Sequence, residues 1–62
     1  MTESQYYSAV MAIAIECNTT YLEEGMEAAS TLQRKCERAL ARKSGAARVN
    51  IEDDVYEAME EL

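Results

Sequence analysis

The chain of 62 residues has no histidine, proline, tryptophan or phenylalanine, and only two cysteines and two glycines. Each scarcity closes off a class of function. Histidine most often exchanges protons near neutral pH, and without it neither general acid–base catalysis nor an imidazole-activated cysteine has its usual partner. Cys17 and Cys36 are too few for a structural zinc site within one chain, and no Gly-rich phosphate loop accompanies them. The sequence therefore predicts a protein that is not an enzyme, with no catalytic residue, no metal and no cofactor. The longest apolar run, Ala9 to Ile15, falls far short of the roughly 20 residues that span a bilayer. Glu3 is the only charged side chain before it, so the positive flank of an export signal is missing. A cytoplasmic protein with reduced thiols and no membrane contact is the expectation.

What remains favours helix. Hydrophobic residues make up 48% and charged residues 29%, the usage of a folded globular chain rather than a disordered one. Ala, Glu, Leu, Met and Arg are strong helix formers, and Gly25 and Gly45 are the only glycines that could break a helix. The expected fold is all-α, a single domain made of a helical hairpin and a short C-terminal third helix.

The first helix is expected over about residues 3–17, opening at Thr2 or Ser4. Tyr6, Val10, Ile13 and Cys17 form one apolar stripe, and Tyr7, Met11, Ala14 and Ile15 widen it, which marks a central helix. Asn18, Thr19 and Thr20 read as a polar break. Thr20 followed by Glu23 matches a capping box, so the second helix is expected over about residues 21–43. Glu23, Glu24 and Glu27 near its start and five bases near its end suit the helix dipole. Its core stripe is expected to be Leu22, Met26, Ala29, Leu32, Cys36, Ala39 and Leu40, with Gly25 inside the helix as a point of close approach. Ser44 and Gly45 supply the stop. Asn50 then caps a third helix over about residues 51–62, with Ile51, Val55, Ala58, Met59 and Leu62 facing inward. Short connections make consecutive helices antiparallel neighbours. A turn at residues 18–20 would leave Cys17 at the hairpin tip and Cys36 about four helical turns away, beyond disulfide reach.

A chain this small buries only about 60% of its unfolded surface, and helix 1 offers more apolar area than one mate and a short third helix can cover. Homodimerisation through helix 1 into a larger helical bundle is the expectation, with Tyr6, Tyr7, Val10, Met11, Ile13 and Ile15 as the interface. Adjacent helical residues diverge by about 100°, so Tyr6 and Tyr7 cannot both enter one core. At least one faces a partner.

The net charge of −6 conceals a pattern. Residues 1–18 carry Glu3 and Glu16, residues 19–33 carry three acids, residues 34–48 carry all six bases and one acid, and residues 49–62 carry six acids. Arg34, Arg38 and Arg42, spaced four apart with Lys35, Lys43 and Arg48 nearby, offer a basic face to RNA or DNA. Against this, the net acidity repels a polyanion, no aromatic interleaves the bases, and Glu52, Asp53, Asp54, Glu57, Glu60 and Glu61 can fold back to neutralise them. The same acids could instead present a carboxylate-studded helix to a basic cleft on a partner.

Arg48, Val49, Asn50 and Ile51, followed by Glu52 to Tyr56 and the periodic Met59 and Leu62, resemble the opening strand and first helix of a ribbon-helix-helix repressor. The resemblance covers about 15 residues and lacks the second helix that family requires. It assigns no DNA-contacting role to Arg48 or Asn50.

The sequence thus predicts a noncatalytic protein–protein interaction module: a small acidic regulatory, inhibitory or assembly protein that pairs with itself and with a further protein partner. A dimeric two-helix-type nucleic-acid binder using the basic face of helix 2 is the alternative. A third possibility is redox sensing by the two cysteines.

Overall fold

The computed structural model describes residues 1–44 and 50–62 of the chain. It is all-helical there, with α1 at Glu3–Glu24, α2 at Met26–Ser44 and α3 at Ile51–Glu60. Thr2 opens α1 from an extended conformation: the Gln5 N–H donates to its hydroxyl at 3.1 Å, and its own N–H donates to Gln5 Oε1 at 2.9 Å. This reciprocal capping box satisfies two amides that a helix start otherwise leaves bare.

The helix does not stop at Asn18–Thr20. The Thr19 hydroxyl donates to the Ile15 carbonyl at 3.0 Å, so it is satisfied within the helix and has no need of a break. The Thr20–Glu23 capping box does not form either, because the chain finds a better terminator at Gly25. There φ is 96° and ψ is 176°, a conformation open almost only to glycine. The Gly25 N–H donates to the Tyr21 carbonyl at 3.0 Å, and its carbonyl accepts from the Ala29 N–H at 3.2 Å. One residue therefore closes α1 and opens α2. The expected boundaries move accordingly: helix 1 ends at Glu24 rather than near residue 17, and helix 2 begins at Met26 rather than near residue 21.

With 22 residues, α1 is about 33 Å long at about 1.5 Å per residue. The longest dimension of the molecule is 32 Å, so α2 must lie back alongside α1 rather than extend it. Both α2 and α3 pack on α1 and touch one another little. The shared core takes Tyr6, Val10 and Ala14 from α1, Leu40 from α2, and Ile51, Val55 and Ala58 from α3. Cys17 and Ala29 are also buried. A hydrogen bond of 2.5 Å from the Tyr6 hydroxyl to Asp54 Oδ2 fastens α1 to α3.

The Gly25 turn also rearranges the inward face of the second helix. Leu22 and Met26 are 74% and 68% exposed, outside the core in which the apolar pattern placed them, because they flank the turn instead of lying within one helix. Gln33 faces inward beside Ala29 and Leu40, its amide donating to Glu37 at 2.8 Å. Leu32, Cys36 and Ala39 are half-buried. Along α3 the pattern holds for Ile51, Val55 and Ala58, with Met59 half-buried. The helix ends at Glu60, leaving Leu62 57% exposed. Gly45 and Arg48 lie outside the described residues. Ile51, read in the repressor resemblance as the end of a strand, is the first residue of α3. Among the described residues no helix is long and apolar enough to cross a membrane.

A Cβ at Gly25 would meet nothing within 4 Å, so Gly25→Ala incurs backbone strain without a steric clash. We expect the substitution to destabilise the hairpin by about 1–3 kcal/mol in urea unfolding, with native helicity retained. Unchanged stability would show that the turn does not need glycine.

Candidate functional site

The buried stripe of α1 is Tyr6, Val10, Ala14 and Cys17. About a third of a turn round the same helix lies a second apolar row, Tyr7, Met11, Ile15 and Leu22, at the four- and seven-residue spacings that align on one helical face. Tyr7 is 53% exposed and Ile15 50%; Met11 is half-buried at the edge of the core. The Tyr7 ring meets Tyr6 in an edge-to-face contact, with centroids 5.1 Å apart at 78°. That contact orients an exposed aromatic on a buried one.

Of the six residues expected to form the interface, Tyr6 and Val10 are buried within the single chain, with Tyr6 bonded to Asp54, and so do not present a surface. Ile13 is half-buried against the core. Tyr7, Met11 and Ile15 remain on the outer row, and Leu22 joins them. The period of the sequence could not separate the two rows, because all of these residues are apolar at helical spacing. Only the positions of α2 and α3 decide which row is covered.

Carboxylates rim the outer row. Tyr7 and Met11 share a groove between α1 and α3 with Asp54, Glu57 and Glu61. Ile15 shares another with Glu16 and Glu23. Neither α1 nor α3 contains a lysine or arginine. Both end against the helix dipole: Glu23 and Glu24 close α1, Glu57 and Glu60 fall in the last turn of α3, and neither last turn holds a base. An anion at an exposed helix C-terminus costs about 0.3–1 kcal/mol. By contrast α2 follows the dipole, with Glu27 in its first turn and Arg42 and Lys43 in its last.

The five described bases, Arg34, Lys35, Arg38, Arg42 and Lys43, are all exposed on α2. Among the described residues none forms an ion pair with a carboxylate. The expected fold-back of acids onto bases is made only in part there: Glu52 of α3 lines a groove with Arg34 and Glu37 without an ion pair, because α3 packs mainly on α1. The sixth base, Arg48, lies outside the described residues.

The thiols also move relative to expectation. With the turn at Gly25, Cys17 lies 25 − 17 = 8 residues before it and Cys36 lies 36 − 25 = 11 after it, so they come to similar heights on facing helices rather than about four turns apart. Both are reduced. Burial holds the Cys17 thiol above the usual range, reinforced by Cys36, Glu37 and Glu16. Burial likewise raises Cys36, with Glu16 and Glu37 adding to the shift and Lys35 opposing it. Neither is an activated thiolate. Among the described residues no cluster of three or more His, Cys, Asp or Glu side chains is placed to hold a metal. Comparisons with protein-family models, curated proteins and solved structures find no match to this chain.

The raised thiol pKa values make folding hold these protons more tightly than the unfolded chain does. The associated stability is present below the unfolded thiol range and is lost as pH rises through the folded values. The urea midpoint should therefore fall above about pH 8.5, and Cys17→Ala should make that fall shallower. At neutral pH a thiol reagent should label half-buried Cys36 before buried Cys17. An unaltered pH slope in the variant would contradict this assignment.

Proposed function

We propose that the protein is a noncatalytic protein–protein interaction module, a small acidic regulatory, inhibitory or assembly protein acting through the outer face of α1. The observation that carries this reading is the exposed row Tyr7, Ile15 and Leu22, in register on a helix whose other side α2 and α3 already bury. Single exposed apolar residues are ordinary, whereas a row at helical spacing is the anchor pattern by which helices recognise helices. A second copy of the chain is one protein this row fits. Antiparallel pairing would set Tyr7 near Leu22 of the other protomer and Ile15 near the twofold axis.

Ile15 and Leu22 are exposed, so the double substitution Ile15→Asp with Leu22→Asp should shift stability by no more than about 1 kcal/mol and leave helicity intact. Light scattering over a micromolar series reads the consequence. A parent mass near twice 7.0 kDa that falls to 7.0 kDa in the variant would support self-pairing through the row. A dimer indifferent to the substitutions would remove the row as an interface. A monomeric parent would leave the row to a foreign protein.

The second reading, a nucleic-acid binder, is favoured by the five exposed bases of α2 that have no carboxylate partner among the described residues. Retardation of a mixed RNA or DNA pool at low salt, lost in Arg38→Glu, is its expected signature. No retardation under those conditions, where electrostatic contacts are strongest, eliminates it.

A further inference from the structure

We infer that the α1 face binds a cationic amphipathic helix of another protein, with the partner's apolar anchors on Tyr7, Met11, Ile15 and Leu22 and its lysines or arginines against Glu57, Glu61, Glu16 and Glu23. The inference rests on the reading of the α1 row as an interaction surface and names its occupant.

Three observations select this partner. First, the row from Tyr7 to Leu22 spans about 22 Å, the length of about four turns of helix. All three described elements are helices, so there is no sheet edge among the described residues to recruit a strand. Second, the rim of the row has one sign. Its grooves bring Glu57 and Glu61 to the Tyr7 end and Glu16 and Glu23 to the Ile15 end, and the helices that build them supply no lysine or arginine in answer. An anionic membrane surface is repelled by such a rim. Third, Glu57 and Glu60 of α3 lie in a last turn that breaks the dipole rule with no helix N-terminus following it, whereas α2 obeys the rule and the acids ending α1 lie beside the N-terminus of α2. A local rule broken without compensation inside the chain marks a functional surface. A bound cation would supply the compensation.

A second copy answers only part of this specification. Apposing two α1 faces brings the set Glu16, Glu23, Glu57 and Glu61 of one copy toward the like-charged set of the other, with no base on either face to offset them. The α2 face of a second copy has the right charge at Arg34, Lys35, Arg38, Arg42 and Lys43, but no row of large apolar anchors runs along those bases: Met26 sits at the helix start, about two turns before Arg34, and Tyr56 of α3 meets Arg34 in a groove that also holds Glu37 and Glu52. A foreign helix that carries both features satisfies both demands.

The test uses the full chain and designed peptides of about 18 residues, fluorescently labelled. The first has leucines at helical spacing flanked by lysines, the second replaces every lysine with glutamate, and the third keeps the composition of the first in scrambled order. The expected result is saturable binding of the first peptide alone, weakening about tenfold between about 50 mM and about 300 mM salt. Amide shift changes should centre on Tyr7, Met11, Ile15 and Leu22. Glu57→Lys with Glu61→Lys should weaken binding about tenfold without loss of helicity, since cations suit the end of α3. Should that pair disturb folding, Glu57→Gln with Glu61→Gln reads the same contact.

Equal affinity for the lysine and glutamate peptides at the same amides would overturn the cationic partner while leaving α1 as the interaction face. A twofold mass that dissociates in Ile15→Asp and excludes the peptide would make a second copy the occupant. Binding of the scrambled peptide as tightly as the first, or shifts confined to α2, would overturn both this inference and the α1 reading beneath it.

Discussion

The buried stripe of α1, Tyr6, Val10, Ala14 and Cys17, is the surface on which both other helices are assembled. Because α2 and α3 touch each other little, neither has a second apolar wall to rest on. The alanine at position 14 is fully buried, so a helix comes close to α1 there, while Tyr6 fills the wider space beside α3 and directs its hydroxyl to Asp54. That hydrogen bond gives the otherwise apolar α1–α3 contact an orientation. The short core of α3, Ile51, Val55 and Ala58, completes the packing around the same stripe. A small domain organised around one strip of one helix has little redundancy, which makes the geometry of its single described turn important.

That turn depends on Gly25. Its positive φ lets the chain leave α1 and enter α2 within one residue, and the position of the turn fixes the register of the hairpin. A turn at Thr19, as the polar triplet suggests, would bring a different set of α2 residues to face Val10 and Cys17. With the turn at Gly25, Leu40 reaches the core, Gln33 points inward, and Leu22 and Met26 flank the tip. The register also sets Cys17 and Cys36 at similar heights on facing helices, where burial, more than their neighbouring charges, raises both thiols.

Much of the architecture was legible in the sequence because helix composition, the absence of proline and the apolar period all pointed to three helices. The α3 core was legible for a further reason: Ile51, Val55 and Ala58 form one clean stripe among acids, so periodicity leaves a single inward face. In α1 apolar residues surround much of the cylinder, and period alone cannot distinguish Ala14 from Ile15 or Tyr6 from Tyr7. At Asn18–Thr20 two local signals compete, and the helix runs through. A capping-box pattern is a modest preference that threonine can forgo by bonding backward to Ile15, whereas glycine at φ 96° has almost no substitute. The Tyr6–Asp54 bond joins residues 48 positions apart, a separation no local pattern reports. The basic face was legible residue by residue, but its lack of ion pairs among the described residues depends on where α3 docks.

Charge segregation follows from the same assembly. Once α3 is docked on α1, the two helices without lysine or arginine lie together, and all described bases remain on α2. Had α3 lain along α2, its acids and those bases would have offset one another, leaving a nearly balanced surface around an exposed apolar row. The observed docking instead concentrates anions beside Tyr7 and Met11 and lets two helices end against their own dipoles. Surface carboxylates of this kind contribute little to folding and, at those helix ends, oppose it. The preference for α1 must therefore come from burial of Ile51, Val55 and Ala58 against Tyr6, Val10 and Ala14, an apolar gain that exceeds the electrostatic cost. The same packing that stabilises the chain thus creates the surface least satisfied by the chain itself.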